Sequence, residues 1–407
     1  MPMQNNADSV RTEAVVAGGG PAGLTAAIAL ASSGIATVLI APPRRRADNR
    51  TTALLAGSVN ALAALGVWEL AQGNAAPLRV MRIVDDTGRL WRAPEVTFDC
   101  GEIGLEAFGH NIENAKLVAA LERRALAVPT LTVVEDAVGS LDCGADHATV
   151  TTASGRRYTA SLVVGADGHK SVCRETAGIG VHTRDYPQAA LTVTFTHSRP
   201  HRDSSTEFHT RSGPFTLVPL PGDRSSLVWV LDPREADDIA ALDDAQLSDE
   251  IERHSHSILG KVTVDPGRGI FPLSVSTARR FGANRVALVG EAAHVVPPIG
   301  AQGLNLGLRD AATIGELAAN AKRTGADIGG EDLLARYHER RSADVGSRTL
   351  AIDLLNRSLL SDLLPAQGAR GLGLYLMDRI GPLRRAMMRE GVMPAASQPR
   401  LMRGEAI

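Results

Sequence analysis

The chain has 407 residues, 44% hydrophobic and 22% charged, a balance that suits a globular protein of two domains or of one large domain with an insertion. A formal net charge of -2 and only 3% aromatic residues argue against a nucleic-acid partner and against base-stacking platforms. Cys100, Cys143 and Cys173 are far apart and odd in number, so neither a metal site nor a disulfide framework is expected, and a reducing, cytoplasmic setting is. The first residues (Gln4, Asn5, Asp8, Arg11, Glu13) lack the apolar stretch of a signal peptide. No run of roughly 18 apolar residues is present to span a membrane, which leaves surface binding open.

In chain order, Ala14–Ala17 reads as a buried strand, followed by glycines, a helix over Ala22–Ser33 and a second strand over Ala36–Ile40. That is a βαβ unit, the crossover that parallel pairing requires. Pro42, Pro43 and the basic run Arg44–Arg46, read as a solvated loop, close it. Helices are predicted over Ser58–Leu65 and Asn114–Ala127, the latter from the spacing of Leu117, Leu121 and Leu126. Leu131–Val150 alternates like a hairpin, and Ser161–Val164 is a buried strand. Leu191–Phe195 and Leu227–Val230 read as strands of an antiparallel sheet. A polar helix over Asp237–His256 follows, and Val286–Val289 returns to the first domain as a strand. Helices over Gly303–Ala321 and Asp332–Arg348 come next, then a helical stretch over Thr349–Arg389 interrupted by Pro365, Gly371, Gly373 and Pro382.

Three motifs stand out. The first is Gly18-x-Gly20-Pro21-Ala22-Gly23 between strand and helix. Its first glycine permits the tight turn, the second lets backbone approach a pyrophosphate, and the third lets helix pack on strand. The helix N-terminus offers N–H groups and a positive dipole end to phosphates. The bland alternative is a tight turn without a ligand. The acid expected at the end of the second strand to bind a ribose is absent, because that strand ends Ile40-Ala41-Pro42. The second motif is Gly165-Ala166-Asp167-Gly168 through Arg174, alone no more than a turn, with Lys170 and Arg174 read as surface charges. The third is Gly290-Glu291-Ala292-Ala293-His294 followed by Pro297-Pro298-Ile299-Gly300-Ala301-Gln302-Gly303-Leu304-Asn305 and on to Asp310.

These motifs, in this order and spacing, resemble the class A flavoprotein aromatic hydroxylases, whose prototype acts on para-hydroxybenzoate, over nearly the whole chain. Asn49–Leu54, Leu65–Trp68, Asn111–Asn114 and the long third motif are most similar to the ubiquinone-biosynthesis hydroxylases. The resemblance implies an α/β fold with an FAD-binding Rossmann-like domain of the para-hydroxybenzoate hydroxylase type, residues 10–185 and 276–350. An inserted antiparallel β-sheet substrate domain, 186–275, and a C-terminal helical segment, 351–407, complete it.

It also implies the chemistry: FAD, reduced by NAD(P)H or another electron donor, takes up dioxygen as a flavin hydroperoxide. The oxygen is delivered to a polyprenylated phenol or another aromatic ring in a site that excludes water. Gly18, Gly20, Pro21, Ala22 and Gly23 would hold the adenosine diphosphate half, and Arg50 and Asn114 the ribityl and phosphate region. Asp167 and Gly168 would lie near the pyrophosphate or NAD(P)H. Gly290 and Glu291, where most members have Asp, would lie at the ribitol or ribose chain. Gly303, Leu304 and Asn305 would bring backbone N–H groups to the flavin pyrimidine edge. Pro298 and Gly300, in the loop beside the reacting ring, are the candidate catalytic positions. No base is named. His197 and His209 read as satisfied surface or core histidines, and His294 as a packed group without a proton-transfer role.

A greasy substrate implies access from a membrane, at the inner face of the cell membrane, and contact with other ubiquinone-biosynthesis proteins. Leucines and arginines between Leu354 and Arg389 suit a bilayer surface, and equally a helix packed on the FAD domain or a subunit interface. Three alternatives share the scaffold. Trp68, Trp91 and Trp229 are isolated, against a flavin halogenase. A flavin-dependent reductase of a prenyl substrate and a non-catalytic flavin-binding assembly partner stay open.

Overall fold

The computed structural model describes residues 9–43, 49–88, 93–298, 300–360, 373, 375–376, 379–392 and 398–407. Short apolar runs without alternation form its central sheet, because strands covered on both faces need no polar side. The order is Gly282–Ala283, Val286–Leu288, Leu162–Gly165, Ala14–Ala17, Thr37–Ala41, Leu131–Glu135, and every pairing is parallel except the outermost one between Gly282–Ala283 and Val286–Leu288. Helix Pro21–Ser32 packs on helix Gln302–Thr324, so closely that a Cβ built on Gly315 would lie 3.0 Å from Ala29 Cβ. The connections run outward on both sides of Ala14–Ala17. The crevice beyond the ends of Ala14–Ala17 and Leu162–Gly165 is therefore the switch point where open α/β sheets bind ligands.

A second, eight-stranded sheet has the order His294–Val295, Val262–Ala278, Val181–His197, Arg224–Leu231, Pro214–Leu220, Ser204–His209, Val80–Asp85, Val96–Asp99. Alternation sorts its two faces. Phe195, Phe215, Leu227 and Trp229 point to one side and are buried with Leu247 and Ile251, under helices Pro233–Ala241 and Asp244–His254. The other side turns to a three-stranded antiparallel sheet of order Thr51–Leu55, Gly109–Glu113, Ala75–Leu78. Thr51 Oγ1 donates to Ser226 Oγ at 2.8 Å and Asn111 Nδ2 to the Pro219 carbonyl at 2.9 Å.

Some expectations need correction. Leu131–Glu135 is not half of a hairpin but the edge strand of the parallel sheet, paired with Thr37–Ala41. The hairpin is Val138–Cys143 with Ala148–Thr152. At the edge of the sheet Thr132, Val133 and Glu135 are exposed, so the strand lacks the fully apolar run of its neighbours and resembles a hairpin arm. The polar helix breaks in two where Asp243 forms a capping box with Gln246 and starts a new helix. The helix expected to stop at Arg348 runs Glu331–Leu360. Helix Gly381–Val392 turns Met388 and Val392 inward onto Val96, Phe98 and Phe108. Arg44–Arg46, Ile299, Leu363, Leu364, Pro365, Arg370, Gly371, Leu372 and Leu374 lie outside the described residues.

Candidate functional site

The glycine turn separates protein packing from ligand space. Gly18 has φ +116°, and a side chain on it would collide with the Ala166 carbonyl. A side chain on Gly23 would collide with the Gly18 carbonyl. Both glycines are required by the close approach of backbone to backbone. Gly20 differs: it is exposed, and a Cβ built there meets nothing within 4 Å. It caps helix Pro21–Ser32, with Pro21 at the first helical position. The Ala22 and Gly23 N–H groups precede the first intrahelical bond, from Leu24 N to the Gly20 carbonyl at 2.9 Å. Bare backbone, unpaired helical donors and a positive dipole end fit a pyrophosphate.

The second motif leans on the first and third. Asp167 spends its carboxylate inside the protein, accepting from Ser171 Oγ at 2.5 Å and from Cys173 N at 3.0 Å, so it fixes the start of helix Val172–Thr176. Gly168 follows with φ +82°. Arg174 is not a surface charge. It is buried and donates to the Ala292 carbonyl at 3.0 Å and the His169 carbonyl at 2.9 Å, tying the second motif to the third.

In the third motif, Gly290 has φ +60° and a Cβ on it would sit 3.1 Å from Ala22 Cβ; one on Gly307 would sit 3.2 Å from the same atom. The third motif is thus seated directly on the first. Glu291 is exposed at this turn. Pro297 is buried, and Pro298 and Gly300 are exposed. Gly300 (φ +65°) and Ala301 (φ +54°) are both left-handed and lead into helix Gln302–Thr324. Gly303 and Leu304 lie in its first turn, half-buried. Asn305 is buried, and its side chain is a clamp: Oδ1 accepts from Leu55 N at 2.8 Å, while Nδ2 donates to the Ala53 carbonyl at 2.8 Å and the Ala301 carbonyl at 2.5 Å. Arg50, just before strand Thr51–Leu55, meets Asn114, the first residue of helix Asn114–Leu126. Asn114 N donates to the Arg50 carbonyl at 2.9 Å, Thr52 Oγ1 donates to Asn114 Oδ1 at 2.5 Å, and the Arg50 guanidinium lies 5.5 Å from the Phe271 ring centre. His197 is buried, with Nε2 at 3.0 Å from Ser225 Oγ.

Sequence reasoning passed over what holds this together. Fully buried Asp310 accepts from Gly290 N at 3.0 Å, His294 Nε2 at 2.7 Å and Arg341 Nε at 2.6 Å. Arg341 continues to Asp344 at 2.7 Å, which also binds Arg309 at 2.8 Å and Arg348 at 3.0 Å. Arg348 reaches Gln302 Oε1 at 3.1 Å, and Gln302 Nε2 the Gly300 carbonyl at 3.1 Å. The signal was Arg309-Asp310, two charges set among buried residues of a helix. Burial alone would raise the Asp310 carboxyl, but the His294 and Arg341 charges and the Gly290 N–H hold it below the ordinary aspartate value. Asp344 is likewise held low, by Arg341 and Arg309 against its burial.

The geometry agrees with what the chain is similar to. A family described as "FAD binding domain" matches residues 11–350. Ubiquinone hydroxylase UbiL of Rhodospirillum rubrum is 35% identical, the match covering 99% of this chain and 95% of that one. The 3-demethoxyubiquinol 3-hydroxylase of Escherichia coli K12 is 33% identical over 93% and 97%. The fold is that of p-nitrophenol 4-monooxygenase PnpA from Pseudomonas putida DLL-E4, with TM-score 0.76 at 18% identity over 94% and 98% of the two chains. The chain belongs to the FAD-binding-domain family of flavin-dependent monooxygenases, and within it to the group of the ubiquinone hydroxylases.

Two outcomes test the site. Gly20→Val, in open space, should leave folding intact and abolish FAD retention, whereas Gly23→Ala should destabilise the fold itself; flavin content and thermal melts of both variants separate the two effects. Asp310→Asn breaks a buried charge network and should cost about 3–5 kcal/mol in chemical denaturation at neutral pH. Because the folded carboxyl is depressed, its contribution is present above the unfolded value of about 3.9 and fades as pH falls through the lower folded value. The variant should therefore lose less stability than wild type on acidification across that window.

Proposed function

We propose that the chain hydroxylates the aromatic ring of a polyprenylated phenol in ubiquinone biosynthesis, with FAD reduced by NAD(P)H or another donor and with dioxygen as co-substrate. The observation that carries this reading is the resemblance along the full length to two ubiquinone-pathway hydroxylases. It is joined to a glycine turn whose bare backbone and helix N-terminus suit a pyrophosphate. FAD, when bound, supplies the activation of oxygen. Gly18, Gly20, Pro21, Ala22 and Gly23 receive its pyrophosphate on backbone N–H groups and the helix dipole. Arg50 and Asn114 line the ribityl region, with Asp167 and Gly168 beside the pyrophosphate and Gly290 and Glu291 at the sugar chain. Helix Gln302–Thr324 aims its N-terminus, with Gly303 and the N–H groups of Leu304 and Asn305, at the pyrimidine edge, where its dipole stabilises negative charge. Pro298 and Gly300 wall the reacting ring and limit water.

Purified protein supplied with a prenylated phenol, donor and labelled dioxygen should yield product carrying one labelled oxygen. Reduction of the prenyl chain without label would establish the reductase alternative, and flavin that is never turned over would establish an assembly role.

The same reading places the protein at the inner surface of the cell membrane, beside other proteins of the pathway. No helix among the described residues is long and apolar enough to cross a bilayer. Support comes from Leu350, Leu354, Ile380, Leu383 and Met387, all exposed, with Arg385 and Arg389 exposed on the same helix as the last two. That helix has two loyalties, since Met388 and Val392 are buried against Phe98 and Phe108, so deleting it would damage the core. Leu383→Ser with Met387→Ser should keep FAD and lose affinity for anionic liposomes. Arg385→Gln should weaken that binding by about 1 kcal/mol at low salt and not at high salt. Unchanged liposome binding in both variants would refute the membrane role.

A further inference from the structure

The face of the eight-stranded sheet away from Phe215 and Trp229 carries one carboxylate–imidazole pair on a single strand. Glu207 and His209 alternate with Phe208, which is buried in the opposite core. His209 is 2% exposed and its Nε2 donates to Glu207 Oε1 at 2.7 Å; a carboxylate only accepts, which fixes the direction. Thr216 Oγ1, from the adjacent strand, donates to Oε2 at 3.3 Å. The Glu207 side chain keeps 20% of its surface, and its row on this face, Ile83, Thr216, Val228 and Thr192, is half-buried throughout. The outer-face residues between them are closed. His209 Nδ1 is buried with no hydrogen-bond partner among the described residues.

This row neighbours a contact with the segment proposed above to line the ribityl region. Thr51, one residue from Arg50, touches Ser226, and Val228 is the next inward residue on that strand. Strand spacing of about 4.8 Å and a rise of about 3.4 Å per residue put Glu207 roughly 12 Å from the Ser226 contact, the span of a phenol ring with room for its neighbours.

We propose that Glu207, oriented by His209, accepts the proton of the substrate's phenol hydroxyl. The inference rests on the aromatic-hydroxylase reading and names its missing base. In the step, the phenol O–H bond breaks, the proton passes to a Glu207 carboxylate oxygen, and the electron pair stays on the phenol oxygen. The ring becomes richer in electrons for oxygen attack, and no oxidant or reductant takes part. Glu207 touches substrate, whereas His209 is a positioning residue. Burial would raise the Glu207 carboxyl, but the His209 hydrogen bond and charge and the Thr216 hydroxyl bring it below the ordinary glutamate value, so it is ionised, and its place on the sheet rather than its basicity suits it to the role. Among the described residues, several charged or titratable groups of neighbouring segments have partners of their own. Asp85, opposite His209, binds Thr87 and Ala93 N. Arg211 donates to the Thr87 carbonyl, Tyr186 to Asp353, and Arg384 to Glu102.

The test uses wild-type, E207Q and H209N holoenzymes with 2-geranylphenol as probe, reading hydroxylated product against hydrogen peroxide across pH. E207Q should retain FAD and probe binding yet lose about 10²-fold in kcat for product, regaining activity toward pH of about 10, where the phenol ionises unaided. H209N should lose about tenfold, and its acidic limb should move to higher pH, because Glu207 no longer receives the imidazole hydrogen bond. If E207Q fails to hold FAD, the H209N profile decides. Product turnover within about twofold of wild type and an unchanged pH profile in these variants would overturn the assignment while leaving the hydroxylase reading intact. Wild type that turns over without hydroxylated product would instead refute the hydroxylase reading, and this inference with it.

Discussion

A buried carboxylate must be surrounded by donors or it does not stay charged, and Asp310 meets that demand with partners from three places in the chain. Gly290 N–H comes from the third motif's turn, His294 from the strand after it, and Arg341 from the next helix. The same network runs on through Asp344, Arg348 and Gln302 to the Gly300 carbonyl. The two ends of the third motif are thus pinned by one hydrogen-bonded line. Gly290 is in turn pressed against Ala22, and Arg174 joins Ala292 to the second motif. The cradle's shape follows from these constraints, and the glycines are small because the constraints bring backbones together.

Much of this was legible in residues. Ala14–Ala17 and the glycine turn announced themselves, since a fully apolar strand before Gly-x-Gly-x-x-Gly has few physical readings. The antiparallel sheet was visible in Leu191–Phe195 and Leu227–Val230, but its outer strands were not. Val80–Asp85 joins it by pairing with Ser204–His209, a partner far away in sequence that no local pattern encodes, and Val96–Asp99 follows as the antiparallel partner of Val80–Asp85. Leu131–Glu135 misled for the same reason: strand pairing partners are a tertiary choice. Asp310 and Arg174 were hidden because composition cannot tell a charge buried with its partners from one in water. Asn305 was expected for its backbone N–H, and its side chain proves to bind the helix start to Leu55 and Ala53.

The eight-stranded sheet divides its labour by alternation. One face is sealed with aromatic residues: Trp229 lies 5.0 Å from Phe215 and 4.6 Å from His254, ring centre to ring centre. The other keeps Thr192, Thr216, Glu207 and His209. A sheet closed on one side and half-open on the other is a rigid wall on which polar groups hold their positions without loops to support them.

The seating of Gly290 and Gly307 on Ala22 also sets an order of events during synthesis. The residues that form the cradle are separated by some of the longest intervals in the chain, and the closing partners Arg341, Asp344 and Arg348 emerge from the ribosome late. Contacts of such wide separation are slow to form, and apolar strands left waiting for partners are exposed to misassembly meanwhile. The glycine turn can fold early as a βαβ unit, but without the third motif it is an open ledge. A cradle with all three motifs in place therefore assembles only when nearly the whole polypeptide has been made.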